Sequence, residues 1–197
     1  MSSLVVQVDA EQLARMANMI GALGKNAGPA IARAVNHTGD KARTQMIRAL
    51  TVQTGLQRKT IVKALRVTKA SATKGSMEYR IDSAGGNVSL KYFGARETRA
   101  GVSAAPWGAR RVFAGTFMRA GWWPERVDKP KWHGQVFRRT GGTSKTGMDA
   151  FEKVRSGLFI PGEMVQGATG EAFRAVVDRD LPDRLGHELM RAMGGAG

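Results

Sequence analysis

From Ile31 to Ala49 the chain repeats a narrow stripe of small and apolar side chains at helical spacing. Ile31, Ala34, Val35, Thr38, Ala42, Met46 and Ala49 share one face, while Arg33, Lys41, Arg43 and Arg48 lie mostly off it. A stripe of this period belongs to a long α-helix with one buried side. Its small residues let another element approach closely, so the chain must supply a partner surface for it. Pro29 suits the first turn of this helix, where its missing N–H costs nothing. Gly39 beside the stripe carries a helix cost of about 1 kcal/mol relative to Ala, which leaves a break there as an alternative.

The flanking segments extend the helical reading. Leu4, Val5, Val6 and Val8 predict a short strand, and Asp9 an N-cap with Glu11 in the first turn. Leu13, Met16, Ala17, Ile20 and Leu23 then predict one helix, interrupted by Gly24, Asn26 and Gly28. Thr54 through Leu65 predicts a third, shorter helix with Leu56, Ile61, Val62 and Leu65 on its apolar face. Near the other end, Pro161-Gly162 reads as a turn after the strand-like run Phe151–Ile160. Met164, Val165, Ala168, Phe173, Val176, Val177, Leu181, Leu185 and Leu189 follow at helical spacing. Pro182 is expected to kink this helix or to begin a new one just after Asp180, because it lacks the N–H and crowds residue i−4. Gly194-Gly-Ala-Gly is expected to fray.

Residues 73–147 change character. Met77, Tyr79 and Ile81 alternate with Glu78, Arg80 and Asp82, the pattern of a half-buried strand. Gly85, Gly86 and Asn87 read as a turn, and Val88, Leu90, Tyr92 and Phe93 as the return strand of a β-hairpin. Gly94 to Gly108 lacks either period and reads as a long loop or arm. Val112–Met118 and Gln135–Arg138 are further strand candidates, and Gly141-Gly-Thr-Ser-Lys-Thr-Gly147 reads as linker. The expected architecture is therefore a single α+β domain over 1–197. A long N-terminal helix and a C-terminal helix pack on a mostly antiparallel β-sheet, with a long Gly/Trp-rich central loop or arm. Residues 10–70 are helical, 73–147 hold strands and extended basic and aromatic loops, and 150–193 a strand plus helix.

Chemistry is hard to find in this sequence. There are no cysteines, which removes disulfides, thiolate metal clusters and cysteine nucleophiles together. His37, His133 and His187 stand far apart in different elements, and no HExxH or paired ligand spacing occurs. Glu125 and Asp128 are flanked by Arg126, Lys129 and Lys131, a pattern of salt-bridged loop more than of general acid and base. Asp178, Asp180 and Asp183 lack the alternating ligands and central glycine of a calcium loop, and capping near Pro182 explains them more simply. Gly141-Gly-Thr-Ser-Lys-Thr lacks the glycine before its lysine that a phosphate loop requires. No catalytic, cofactor-binding or metal-ligating residue is assigned, and a hydrolase reading finds no catalytic cluster to support it.

The positive signal is charge with aromatics. Formal net charge is +15, and its distribution is uneven: residues 61–150 hold 17 basic and 6 acidic residues, residues 151–197 hold 6 and 7. Arg110, Arg111, Arg119, Arg126, Lys129, Lys131, Arg138 and Arg139 are the candidate electrostatic contacts. They interleave with Trp107, Phe113, Phe117, Trp122, Trp123, Trp132 and Phe137, the candidate subunit interface. Cationic grooves with stacking rings bind nucleic acid, and Trp, Phe and Arg are also enriched at protein interfaces. The rings here sit among Gly and Pro turns without a single-strand-binding signature, which favours the interface. A helix-turn-helix reading of the N-terminal helices fails on the length of the second helix. No run approaches the roughly 18 apolar residues of a membrane span, and the N-terminus has no basic residue ahead of its apolar run, so no signal peptide is expected.

The ordered combination of two soft motif groups resembles the prophage minor tail protein Z family of long-tailed bacteriophages. One group is Gly28-Pro-Ala-Ile-Ala-Arg-Ala-Val-Asn-His-Thr, continued by Thr51–Lys69 with Arg58, Lys59, Val62 and Lys63. The other is Gly157-Leu-Phe-Ile-Pro, a helix, and Asp180-Leu-Pro-Asp-Arg-Leu-Gly-His-Glu-Leu. The Trp- and Gly-rich segment Gly101–Lys145 departs from the family. The resemblance implies a tail-completion or neck protein of the virion, made in the host bacterial cytoplasm, that finishes the head-proximal end of the tail for joining to the head. It implies a homo-oligomeric ring, with a hexamer expected, contacting neck, tail-terminator or tail-tube proteins. DNA in the channel is a possible transient contact, and a basic DNA-binding protein of regulatory or packaging type is the alternative.

Overall fold

A computed structural model describes residues 1–143, Gly147 and 149–194. The linker expected at 141–147 lies in part, and the fraying tail mostly, outside the described residues.

The stripe from Ile31 to Ala49 lies in α3 (Ala27–Thr54), a continuous helix ended by Gly55 in the left-handed region. Gly39 does not break it. An added Cβ there would lie 2.3 Å from Cγ of Tyr79, so the glycine is the notch into which a fully buried ring packs. The expected first helix is two short ones, α1 (Ala10–Arg15) and α2 (Ala17–Leu23), meeting at Met16. Asp9 caps α1 as expected, its Oδ1 accepting from the Gln12 amide at 2.7 Å. The third helix, α4 (Arg58–Ala64), is shorter than expected, because Leu65 already begins a strand.

That strand, β2 (Leu65–Thr68), joins β1 (Ser2–Val6) and β3 (Tyr79–Ser83) in an antiparallel sheet of order β1-β3-β2. Ile81 pairs with Leu4 on one side and Val67 on the other, placing one apolar row across the sheet. The opposite row, Ser3, Asp82 and Arg66, is polar, with Ser3 Oγ donating to Asp82. A one-residue slip would exchange the two faces, so the register is firmly set. The helical layer of α3 and the short helix α5 (Ile160–Val165) covers the apolar face. Pro161, read as a turn, instead occupies the first turn of α5.

α6 (Gly167–Gly194) runs along α3 over much of both helices. Ala27, Ala30 and Ala34 meet Leu185 and Leu189, and these small residues permit the close approach that the stripe implied. Pro182 lies inside α6, not at a boundary. The acids around it therefore do not cap a helix start: Asp180 pairs with Lys41 and Arg179. No helix among the described residues is long and apolar enough to cross a membrane.

The expected hairpin of 77–93 is overturned. β3 takes its partners from β1 and β2, and Leu90–Phe93 forms a 3-10 turn with Leu90 and Phe93 buried. Val88 instead exchanges backbone bonds with the chain arriving at α5: its N–H reaches Leu158 O at 2.9 Å, and its carbonyl accepts from Ser156 at 2.9 Å.

The loop or arm expected at 94–108 is also overturned, since it holds two strands, while strands do occur at the candidates 112–118 and 135–138. β4 (Arg96–Thr98), β5 (Gly101–Ala104) and β6 (Arg111–Ala114) form one antiparallel sheet. β7 (Thr116–Phe117), β10 (Phe137–Thr143) and β11 (Asp149–Lys153) form another, in order β11-β10-β7. β8 (Ala120–Gly121) and β9 (Arg126–Val127) make a small hairpin. The result is an α+β fold: long N- and C-terminal helices packed against a mostly antiparallel sheet, with a β-rich middle in place of a loop.

Candidate interaction surface

The middle divides into a root and a tip. At the root, Val102, Ala104 and Val136 are fully buried in the same core as Val35, Met46 and Leu50 of α3. Thr116 fixes the turn between β6 and β7: its Oγ1 accepts from the Val102 amide at 3.0 Å and donates to Phe113 O at 2.6 Å.

Farther out, Phe117, Trp132, Phe137 and Phe151 form a local aromatic cluster, with ring centroids 5.0 to 6.0 Å apart in tilted and edge-on arrangements. Such contacts contribute about 0.5–1.5 kcal/mol per pair beyond area burial. Phe117 and Phe137 are buried here and Trp132 half-buried. Of the residues proposed for an interface, these three therefore build the chain's own packing. Phe113 is half-buried beneath Arg111, whose guanidinium lies 4.8 Å from its ring centroid.

Trp122 and Trp123 stand out from this packing. They occupy the turn between β8 and β9 and are 74% and 48% exposed. The turn is well anchored. Glu97, almost wholly buried, accepts from the backbone amides of Met118 and Arg119 at 3.0 Å each and forms an ion pair with Arg126 at 3.0 Å. Arg126 also donates to the carbonyls of Arg119 and Gly121. Arg139 stacks on Trp122, 4.6 Å from its centroid, and pairs with Asp149. Two exposed tryptophans are thus held on a stiff mount. Trp107, 42% exposed, sits elsewhere, beside α5, with a left-handed backbone (φ 53°) and its indole N–H donating to Glu163 at 3.0 Å.

The eight candidate cations separate likewise. Arg110 donates to Gly94 O and Ser103 Oγ, Arg119 pairs with Asp128, and Arg111, Arg126 and Arg139 are engaged as described. Lys129, Lys131 and Arg138 are exposed and have no side-chain partner among the described residues.

A second polar region was not legible from spacing. His37 and His187, expected to be far apart, line one cleft between α3 and α6 with Lys41, Asp180, Asp183 and Arg184. At its edge the buried Glu188 accepts from Arg33 at 2.8 Å and from Arg184 at 2.5 Å. Burial raises the Glu188 carboxyl, but the Arg33 hydrogen bond and the charges of Arg184 and Arg33 outweigh it, leaving it below its ordinary value. Desolvation, then Arg184 and Lys41, lowers His37 against the opposing pull of Glu188 and Asp180. On the sheet side Tyr79 donates to Asp40 at 2.9 Å, and Lys69 pairs with the same carboxylate at 2.8 Å. Among the described residues no group of three or more His, Asp or Glu is placed to hold a metal ion. Glu188 and Asp180 pair with Arg33 and Lys41 across the helix pair, and Asp40 ties α3 to Tyr79 and Lys69 on the sheet side.

Comparison of the chain with family models, with curated proteins and with solved structures finds no match.

Proposed function

We propose that the chain is a non-catalytic structural subunit of a bacteriophage tail or neck. It completes the head-proximal end of the tail and acts in head–tail joining as a ring-shaped oligomer. The observation that carries the reading is the pair Trp122 and Trp123, exposed together on a hairpin held by the buried Glu97–Arg126 pair. Exposing large aromatics on a rigid mount leaves apolar area in water, and such area is characteristically covered by a protein partner. The hairpin of β10 and β11 supports the same reading. Beyond Arg138 its strands pair only with each other and are largely exposed, and an isolated two-stranded ribbon is marginal until something packs on it. The place in a phage tail rests on the two motif groups that resemble the tail protein Z family.

The test is assembly. The purified chain is expected to form a discrete oligomer by mass photometry and to appear at the neck of tails assembled in its presence. Loss of either on Trp122→Ala/Trp123→Ala, with the melt unchanged, is the expected signature. A strictly monomeric chain that never enters tails overturns the reading. Salt-steep, sequence-specific duplex binding would replace it with the DNA-binding alternative.

A further inference from the structure

A cleft of about 600 Å³ lies between α4 and the segment that carries Asn87 to Tyr92. Its rim is cationic. Lys59 and Lys63 stand one helical turn apart on α4, and Arg155 faces them from the chain entering α5. Like charges at that helical spacing are mildly unfavourable in themselves. No carboxylate lines the cleft, and no ion pair engages Lys59, Lys63 or Arg155 among the described residues. Arg155 is fixed nonetheless, donating to Asn87 O at 2.9 Å, while Asn87 Oδ1 accepts from the Gly157 amide at 2.8 Å. Below the rim lie the apolar atoms of Val88, Ile160 and Tyr92, the last 44% exposed.

We infer that this cleft docks an acidic segment of a partner protein. Its carboxylates meet Lys59, Lys63 and Arg155, and one apolar side chain enters against Val88, Tyr92 and Ile160. The inference deepens the subunit reading and rests on it for the occupant being a protein. Charge complementarity and the mixed floor argue for this occupant. A nucleic acid strand would seek an open ring face to stack on, yet Lys91 Nζ already stands 5.1 Å from the Tyr92 centroid. A second copy is a poor source of acid, because most carboxylates of this chain already accept hydrogen bonds from, or pair with, groups of their own chain.

The experiment uses the full chain and a short fluorescein-labelled peptide of glutamates around a leucine pair, read by anisotropy. Its controls are the same peptide with glutamine for glutamate and a single-stranded oligonucleotide of matched length. Binding is expected for the acidic peptide alone, weakened at least about tenfold by Lys59→Glu/Lys63→Glu and unchanged by Lys129→Glu/Lys131→Glu. Tyr92→Ala, which leaves Lys59, Lys63 and Arg155 in place, is expected to weaken it as well, and covers the case in which the double variant fails to fold. No binding, equal loss in both double variants, or displacement of the peptide by the oligonucleotide overturns the inference. A chain that binds the peptide but never enters tails breaks the tail reading and leaves the cleft standing. Entry into tails without peptide binding does the reverse.

Discussion

The helix pair and the β-rich middle solve the same problem in opposite ways. α3 and α6 bury their stripes against each other and the sheet, and their carboxylates each hold two partners: Glu188 pairs with Arg33 and Arg184, and Asp40 accepts from the Tyr79 hydroxyl and pairs with Lys69. The middle joins the main core at its root. Its tip relies on one aromatic cluster and one buried ion pair, and it leaves Trp122, Trp123 and a row of cations in water. The helix pair buries its shared face within the chain, whereas the tip keeps two tryptophans exposed.

Variants can sharpen or break that contrast. The largest effect is expected from Phe173→Ala in α6, which empties a core position 3% exposed. A loss of about 4 kcal/mol should lower one cooperative melt for the whole chain, and two separate transitions would show that the middle folds by itself. Glu97→Ala comes next. It strands a nearly buried Arg126 and frees two amides, at a cost of about 3 kcal/mol, confined to the tip. Hydrogen exchange should quicken over 116–128 and stay slow in α3, and uniform quickening would erase the distinction. Acid gives a subtler separation. The folded Glu188 carboxyl lies below its unfolded value, so its contribution is complete above the ordinary carboxylate range near pH ~4.3. It fades as pH falls from there toward the folded value. Glu188→Gln should therefore flatten the acid limb of melting temperature against pH, and an unaltered limb would place the sensitive group elsewhere. Smallest of all is Trp122→Ala, expected to move the melt by less than about 0.5 kcal/mol while impairing assembly. A large loss of stability would make Trp122 part of the fold instead.

What the sequence revealed follows the same division. Helical periodicity is local, so α3, α6 and the Asp9 cap were visible from spacing, as was the alternation of β3. Partners were not. Gly85–Asn87 looked like a hairpin turn because the nearest apolar run was Val88–Phe93, yet Leu90 and Phe93 gain more by entering the core, and β1 takes the place beside β3. Leu65–Thr68 was concealed as a strand because it follows α4 without a break. In the middle, glycines mask β4, β8 and β9, strands only two or three residues long. The Glu97–Arg126 and Glu188–Arg33 pairs join residues distant in sequence, and a lone acid within a basic stretch, as Glu97 is, was the available clue. Aromatic composition could not separate Phe117 and Phe137, which pack inward, from Trp122 and Trp123, which do not.

The pairing of α3 with α6 also sets an order of events during synthesis. The entire β-rich middle is made between them, so at about 5–20 residues per second the stripe of α3 waits on the order of ten seconds for its cover. Through that interval Ala30 and Ala34 face whatever else is in reach, including the same stripe on a neighbouring nascent chain. A sequence whose main contact is so non-local folds slowly for its size, and it closes only when Leu185 and Leu189 arrive.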